Sequence, residues 1–92
     1  MRLLYAEDEA AMADAVTEIL TYHKYQVDTV DNGQDALEYA LGEEYDGIIL
    51  DIMMPRMDGI EVTRRIRALE DLEKAKWYLE YEIKRVQEAL KS

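Results

Sequence analysis

The sequence predicts an α/β protein in which helices cover a parallel β-sheet, in the order β-α-β-α-β-α. The first observation is that short apolar or β-branched runs alternate three times with segments of helical periodicity, as in sheets with right-handed crossovers. The second is that acidic residues follow the first and third runs. The carboxyl ends of parallel strands share one edge, where such sheets bind their ligands. A chain of 92 residues is enough for one small domain.

Two predicted strands flank an amphipathic helix near the N-terminus. The apolar run Arg2–Ala6 predicts a strand that is buried on both faces. A helix is predicted from Glu9 to about Tyr22, because apolar residues recur there every three or four positions. The β-branched and aromatic run at residues 25–30 predicts the second strand. The apolar face of the helix comprises Met12, Val16, Ile19 and Leu20.

The second helix and the third strand are bounded by cap and turn residues. Asn32 can cap a helix that runs to Leu41, and Gly42 suits its C-terminal end. Residues 47–51 (GIILD) form the most apolar of the predicted strands, which ends at Asp51. Asp58 is a suitable N-cap for a third helix.

The C-terminal third of the chain predicts one long helix. No Gly or Pro follows Gly59, and helix formers dominate residues 69–90. We therefore divide the chain into a first domain, residues 1–68, and a helical extension, residues 69–92, that continues the third helix. Apolar residues and one Lys recur in the extension at heptad spacing, which is typical of a helix that packs on another helix. These positions are Leu69, Leu72, Lys76, Leu79, Ile83, Val86 and Leu90.

Charge and composition exclude several classes of protein. The net charge of -10 argues against nucleic-acid binding, because an acidic surface repels phosphate backbones. The absence of cysteine excludes disulfides and Cys-based zinc sites, and a single histidine, His23, excludes a multi-histidine site. The sequence has neither a membrane-span pattern nor a signal-peptide pattern, so we expect a cytoplasmic protein with no membrane partner.

Three acids are predicted to meet at one edge of the sheet. Glu7 and Asp8 follow the first strand, and Asp51 ends the third, so their carboxylates converge if these strands are neighbours. Crowded carboxylates favour a bound cation, and hard oxygen ligands favour Mg²⁺ over transition metals. Beside Mg²⁺, one carboxylate can act as the nucleophile toward a phosphoryl group and form an aspartyl phosphate. The three acids are therefore candidates for a Mg²⁺ site at which a phosphoryl group could be accepted.

Three segments resemble the first half of a bacterial response-regulator receiver domain, a CheY-like domain of the OmpR/PhoB type. They are LLYAEDE, DNGQDALEYA and YDGIILDIMMPRMDG, and the resemblance covers about residues 1–68. The resemblance implies half of a flavodoxin-like doubly wound parallel sheet with strand order 2-1-3. It also implies a role in two-component (phosphorelay) signal transduction, with a histidine kinase as the partner.

The resemblance also implies roles for individual residues. Asp51 would be the phosphoacceptor and also one of the Mg²⁺ ligands. Asp8 would be a direct Mg²⁺ ligand, and Glu7 would hold the ion partly through water. The backbone carbonyl of Met53 would complete the set of protein ligands.

The chain departs from this family after Ala68. A receiver continues with a fourth strand that ends in Ser or Thr and a fifth that ends in Lys, and neither is predicted here. We therefore expect a truncated receiver whose switch is lost. The alternative is an engineered or chimeric fragment that acts as a structural homo-oligomer without signalling. An unpaired apolar edge on the third strand favours a homodimer or a higher oligomer.

A third candidate function is a haloacid-dehalogenase-type phosphatase, which also uses an Asp at a strand end. Such an enzyme would place a second acid two residues after the first (D-x-D), and Met53 stands at that position. The sequence therefore disfavours this interpretation, and we expect that the protein is not an enzyme.

Overall fold

The computed structural model describes residues 1–69 and 77–81, which form four strands and three helices. In chain order these are β1 (Arg2–Ala6), α1 (Ala10–Tyr22), β2 (Gln26–Val30), α2 (Gly33–Gly42), β3 (Gly47–Asp51), α3 (Gly59–Leu69) and β4 (Trp77–Tyr81). The strands pair in parallel in the order β2-β1-β3-β4. The α/β class, the first six elements and the 2-1-3 strand order confirm the prediction.

The two central strands carry the apolar runs that the sequence shows. All five residues of β3 are buried, as are four of the five in β1. Such continuous burial is expected of central parallel strands, because helices cover both faces of the sheet. In the register of this pair, Leu3 lies opposite Gly47 and Ala6 lies opposite Leu50. The residues that follow β1 and those at the end of β3 therefore lie at the same edge of the sheet.

Two apolar clusters hold the helices against the sheet. The larger cluster lies on the α2 and α3 side and includes Leu50, Val62 and Ile66. The smaller cluster lies on the α1 side, where Tyr5 of β1 is buried and Tyr81 of β4 packs against it. Burial of side chains this large is the main favourable term in the folding of so small a domain.

The helix ends follow from local hydrogen bonds. The predicted caps at Asn32 and Asp58 both form, because each side-chain oxygen accepts a hydrogen bond from the amide three residues later, at 2.9 and 2.8 Å. After α1, Lys24 adopts the left-handed conformation with φ 73°, which turns the chain toward β2. The caps fix the starts of α2 and α3, which lie beside the loops at the C-terminal ends of the strands.

The predicted long C-terminal helix is wrong at residues 77–81, which form β4. This strand pairs with β3, and Tyr81 lies opposite Asp51. The outer edge of β3 presents backbone N–H and C=O groups that need partners, and a strand supplies them. Helix propensity is only roughly tenths of a kcal/mol per residue, so tertiary pairing overrides it, and the aromatic residues of WYLEY also suit a strand. The rest of the predicted extension, residues 70–76 and 82–92, lies outside the described residues.

The pairing of β4 also removes two of the reasons for expecting an oligomer. The edge of β3 that was predicted to be unpaired is covered by β4, so that prediction is wrong. Leu79, a member of the predicted heptad pattern, lies on this strand and not on a helix. Association between copies stays a prediction without these two supports. In the described part of the chain, the helices lack the combination of length and hydropathy that a membrane span needs.

Candidate metal and phosphoacceptor site

Three carboxylates meet at the C-terminal edge of the sheet. Glu7 and Asp8 directly follow β1, and Asp51 is the last residue of β3. Because Ala6 lies opposite Leu50, the acids at the ends of these two adjoining strands lie side by side. One oxygen from each carboxylate can be chosen so that all three lie within 4.8 Å of one another. The structure thus brings together the three acids that the sequence singles out.

The three acids differ in their access to solvent. Asp51 and Glu7 are buried, with 0% and 1% of their surface exposed, whereas Asp8 is exposed. The amide of Met53 donates to Asp51 Oδ1 at 3.1 Å, and the amide of Glu9 donates to Glu7 Oε2 at 2.9 Å. Backbone donors therefore orient the two buried carboxylates, and Asp8 lies on the open side of the cluster.

The electrostatics of this arrangement suit a hard divalent cation. Burial and like-charge repulsion both disfavour the ionised forms of neighbouring carboxylates. A cation between them opposes both effects, and carboxylate oxygens are the ligands that Mg²⁺ and Ca²⁺ prefer. The exposed side at Asp8 leaves room for the water molecules that Mg²⁺ retains when it binds to protein. The donor set of the cluster therefore fits this class of metal.

The loop between β3 and α3 forms a wall beside Asp51. The amide of Gly59 donates to the carbonyl of Ile52 at 3.1 Å, which closes the loop. A Cβ atom on Gly59 would lie 2.5 Å from the carbonyl oxygen of Asp51, so the close approach of α3 to β3 requires a glycine. A second tie is the 3.4 Å hydrogen bond from the amide of Gly33 to the carbonyl of Pro55. These contacts fix the backbone next to the acidic cluster.

Two tyrosines that the sequence analysis left out also reach the site. The Tyr81 hydroxyl donates to Glu7 Oε1, and the Tyr5 and Tyr81 hydroxyls lie 2.9 Å apart. Burial, followed by its hydrogen bond to Glu7, raises the pKa of Tyr81 well above its usual range. Burial likewise raises the pKa of Tyr5. A strand prediction for residues 77–81 (WYLEY) would have placed Tyr81 beside Asp51. The sequence analysis missed this contact because it predicts a helix for that segment.

The other predicted site features have mixed outcomes. The Met53 amide contacts the cluster through Asp51, and binding of the metal by the Met53 carbonyl stays a prediction. The expectation that no fourth strand follows Ala68 is wrong, although β4 ends in Tyr81 and not in the Ser or Thr that the resemblance implies. The described residues contain no fifth strand.

Comparison with known proteins identifies the family of this chain. Residues 3–78 match the family described as the response regulator receiver domain. The transcriptional regulatory protein DltR of Streptococcus agalactiae serotype III (strain NEM316) is 45% identical over 67 residues, which are 73% of this chain and 30% of DltR. The chain thus spans 30% of the length of this curated relative. The match extends to residue 78, beyond the predicted boundary at residue 68, and includes the start of β4.

Solved structures agree with the sequence relatives. The response regulator TrrA of Thermotoga maritima, solved in complex with Mg²⁺-BeF, has a TM-score of 0.73 and 29% identity, over 98% of this chain and 96% of that chain. A structure of the histidine kinase ThkA in complex with TrrA matches with a TM-score of 0.72 and 28% identity, over 98% and 95% of the two chains. On the evidence of its sheet order, its acidic edge and these matches, the chain belongs to the response-regulator receiver domain family.

Proposed function

We propose that this chain accepts a phosphoryl group on Asp51 in a Mg²⁺-dependent reaction, with the phosphohistidine of a histidine kinase as the donor. The observation that carries the proposal is the cluster of Glu7, Asp8 and Asp51 at the C-terminal ends of β1 and β3, where one oxygen of each carboxylate lies within 4.8 Å of the other two. The Mg²⁺-BeF complex of TrrA and the complex of ThkA with TrrA support the same chemistry and the same class of donor.

The transfer itself needs one nucleophilic oxygen and an in-line donor. An Asp51 carboxylate oxygen attacks the phosphorus atom, and an oxygen–phosphorus bond forms as the nitrogen–phosphorus bond of the donor histidine breaks. The leaving imidazole nitrogen keeps the electron pair of that bond and takes up a proton. The Met53 amide, 3.1 Å from Asp51 Oδ1, orients the carboxylate for this attack.

Glu7 and Asp8 would hold the metal, together with Asp51. A bound Mg²⁺ ion supplies positive charge that neutralises the carboxylates and the phosphoryl oxygens. Buried Glu7 is held in place by the Glu9 amide, so it provides a rigid side of the metal site. Exposed Asp8 provides the side that the ion enters.

Thermal unfolding with and without Mg²⁺ tests the metal site. At a concentration ten times its dissociation constant, Mg²⁺ stabilises the folded state by about 1.4 kcal/mol, because it binds only that state. For a domain of this size the melting temperature should rise by about 8 °C. Asp8→Ala should abolish the rise, whereas Asp14→Ala, which removes an exposed aspartate of α1, should keep it. A melting temperature that Mg²⁺ leaves unchanged at matched ionic strength would exclude the proposed metal site.

Phosphorylation by a small donor tests the acceptor. Incubation with acetyl phosphate and Mg²⁺ should add one phosphoryl group to the intact mass, and Asp51→Asn should remove the gain while the protein stays folded by circular dichroism. Labelling of Asp51→Asn to the same extent as the parent chain would assign the acceptor to another residue.

A further inference from the structure

We propose that Tyr81 is a positioning residue for Glu7, through which the docking of β4 sets the affinity of the metal site. This inference rests on the proposed function, because it concerns a residue that holds a ligand of the proposed Mg²⁺ ion. Tyr81 is the last residue of β4, lies opposite Asp51 in the β3–β4 register, and reaches past β3 to a residue that follows β1.

The hydrogen bonds around Tyr81 have one direction. The Tyr81 hydroxyl donates to Glu7 Oε1, and this bond uses its single proton. The Tyr5 hydroxyl, 2.9 Å from that of Tyr81, must then donate its own proton to the Tyr81 oxygen. A phenol has a pKa of about 10, so both hydroxyls carry their protons at neutral pH. The result is a chain of hydrogen bonds from Tyr5 through Tyr81 to Glu7, in which each bond polarises the next.

This series of hydrogen bonds restricts the orientation in which the Glu7 carboxylate can bind a metal ion. Oε2 of Glu7 accepts from the Glu9 amide at 2.9 Å, and Oε1 accepts from Tyr81, so both carboxylate oxygens have protein donors. With donors on both oxygens the carboxylate cannot rotate freely. A ligand held in this way binds a metal without losing orientational freedom, and loss of such a partner typically weakens metal binding about 10- to 100-fold.

The position of Tyr81 on an edge strand makes the effect conditional on β4. β4 has five residues, and its carbonyl at Tyr81 accepts from the Ile52 amide at 2.9 Å, directly after Asp51. The Tyr5 and Tyr81 rings pack with their centroids 6.4 Å apart, which fixes the phenol over the smaller apolar cluster. When β4 leaves the edge of β3, Glu7 loses the donor on Oε1. Metal binding and β4 docking therefore stabilise each other, since such a coupling is reciprocal.

The alternative is that Tyr81 only fills space and satisfies its hydroxyl on the nearest acceptor. Tyr45 offers a matched control for that role. Its hydroxyl donates to Asp28 Oδ2 at 2.6 Å, and the residue is 4% exposed. Tyr45 lies just before the start of β3, whereas the acidic cluster lies at the end of that strand. Tyr45→Phe therefore removes a bond between a phenol and a carboxylate without touching the metal site.

The test is a Mg²⁺ titration of three full-length proteins, the parent, Tyr81→Phe and Tyr45→Phe. Binding is measured by thermal shift or by calorimetry. Tyr81→Phe should raise the Mg²⁺ dissociation constant by about 10-fold, and Tyr45→Phe should leave it unchanged although it lowers the melting temperature. Equal Mg²⁺ dissociation constants for Tyr81→Phe and the parent would overturn the proposal. An equal loss of Mg²⁺ affinity in Tyr81→Phe and Tyr45→Phe would overturn it as well. A parent chain that does not respond to Mg²⁺ would instead refute the proposed function.

A second variant covers the case in which Tyr81→Phe does not fold. Tyr5→Phe keeps the Tyr81 phenol and removes only the hydroxyl that donates to it, so it should weaken Mg²⁺ binding in the same direction by a smaller factor. In the parent chain, Mg²⁺ should also slow hydrogen exchange of the Ile52 amide, which the Tyr81 carbonyl holds. A folded Tyr5→Phe variant with the parent's affinity, together with unchanged exchange at Ile52, would overturn the proposal.

Discussion

Replacing Gly33 with alanine should destabilise the fold and weaken the proposed Mg²⁺ site, although Gly33 is not one of the acidic residues. Gly33 is the buried first residue of α2. A Cβ atom there would lie 1.8 Å from the carbonyl oxygen of Met57 and 2.7 Å from its Cβ atom. Because Met57 belongs to the loop that follows Asp51, relief of the clash must move either that loop or the start of α2.

The size of the effect follows from two opposing contributions. Overpacking typically costs about 1–3 kcal/mol, and the upper half of that range applies because the obstructing atoms are backbone. Alanine also restricts the unfolded chain, which returns about 0.5–1 kcal/mol, and no glycine here needs a positive φ. The net loss should be about 2 kcal/mol, or a fall of about 10 °C in melting temperature.

The matched control is the same substitution at the other end of α2. A Cβ atom on Gly42 would meet nothing within 4 Å, so Gly42→Ala should raise the stability by about 0.5 kcal/mol. Urea unfolding followed by circular dichroism measures both variants, and Mg²⁺ thermal shifts should be smaller for Gly33→Ala than for Gly42→Ala. A Gly33→Ala variant at least as stable as the parent would refute the steric reasoning.

Two further predictions concern pH and backbone conformation. Burial raises the pKa of Tyr45, so at high pH the unfolded chain releases a proton that the folded chain keeps. The free energy of unfolding should therefore keep its full value below about pH 10 and fall as the pH rises further. Tyr45→Phe should make that fall less steep by about 1.4 kcal/mol per pH unit. Identical slopes for the two proteins would contradict this assignment. Lys24→Gly should stabilise the fold by about 0.5–1 kcal/mol in urea unfolding, because Lys24 holds φ 73° and glycine adopts that conformation without strain. A loss of stability would show that the exposed Lys24 side chain contributes more than its backbone costs.

Local patterns were sufficient for most of the fold. The bounds of β1 and β3 match the prediction because both are short apolar runs stopped by acids or turns, a signal that needs no tertiary context. The helix caps at Asn32 and Asp58 were also predictable, because a cap depends only on the amide three residues later.

β4 was not predictable in the same way. Residues 77–81 carry good helix formers beside aromatic residues, so local preference leaves helix and strand close in free energy. The deciding contribution is the open edge of β3, which lies more than twenty residues earlier in the chain and has no counterpart in the local pattern. The tyrosine contacts of the site were missed for the same reason, since they depend on β4.

Sequence patterns were enough to identify the candidate site residues, which are the acids at positions 7, 8 and 51 beside the loop that ends at Gly59, and to show the resemblance to a receiver. Their convergence needed only the parallel order of β1 and β3, which the alternation of strands and helices implies. The contact of Tyr81 with Glu7 and the pairing of β4 with β3 became visible in the folded structure alone. The hydrogen bonds of Tyr81 to Tyr5 and Glu7 join residues more than seventy positions apart, and β4 pairs with residues thirty positions earlier in the chain, so both sets of contacts form only in the packed sheet.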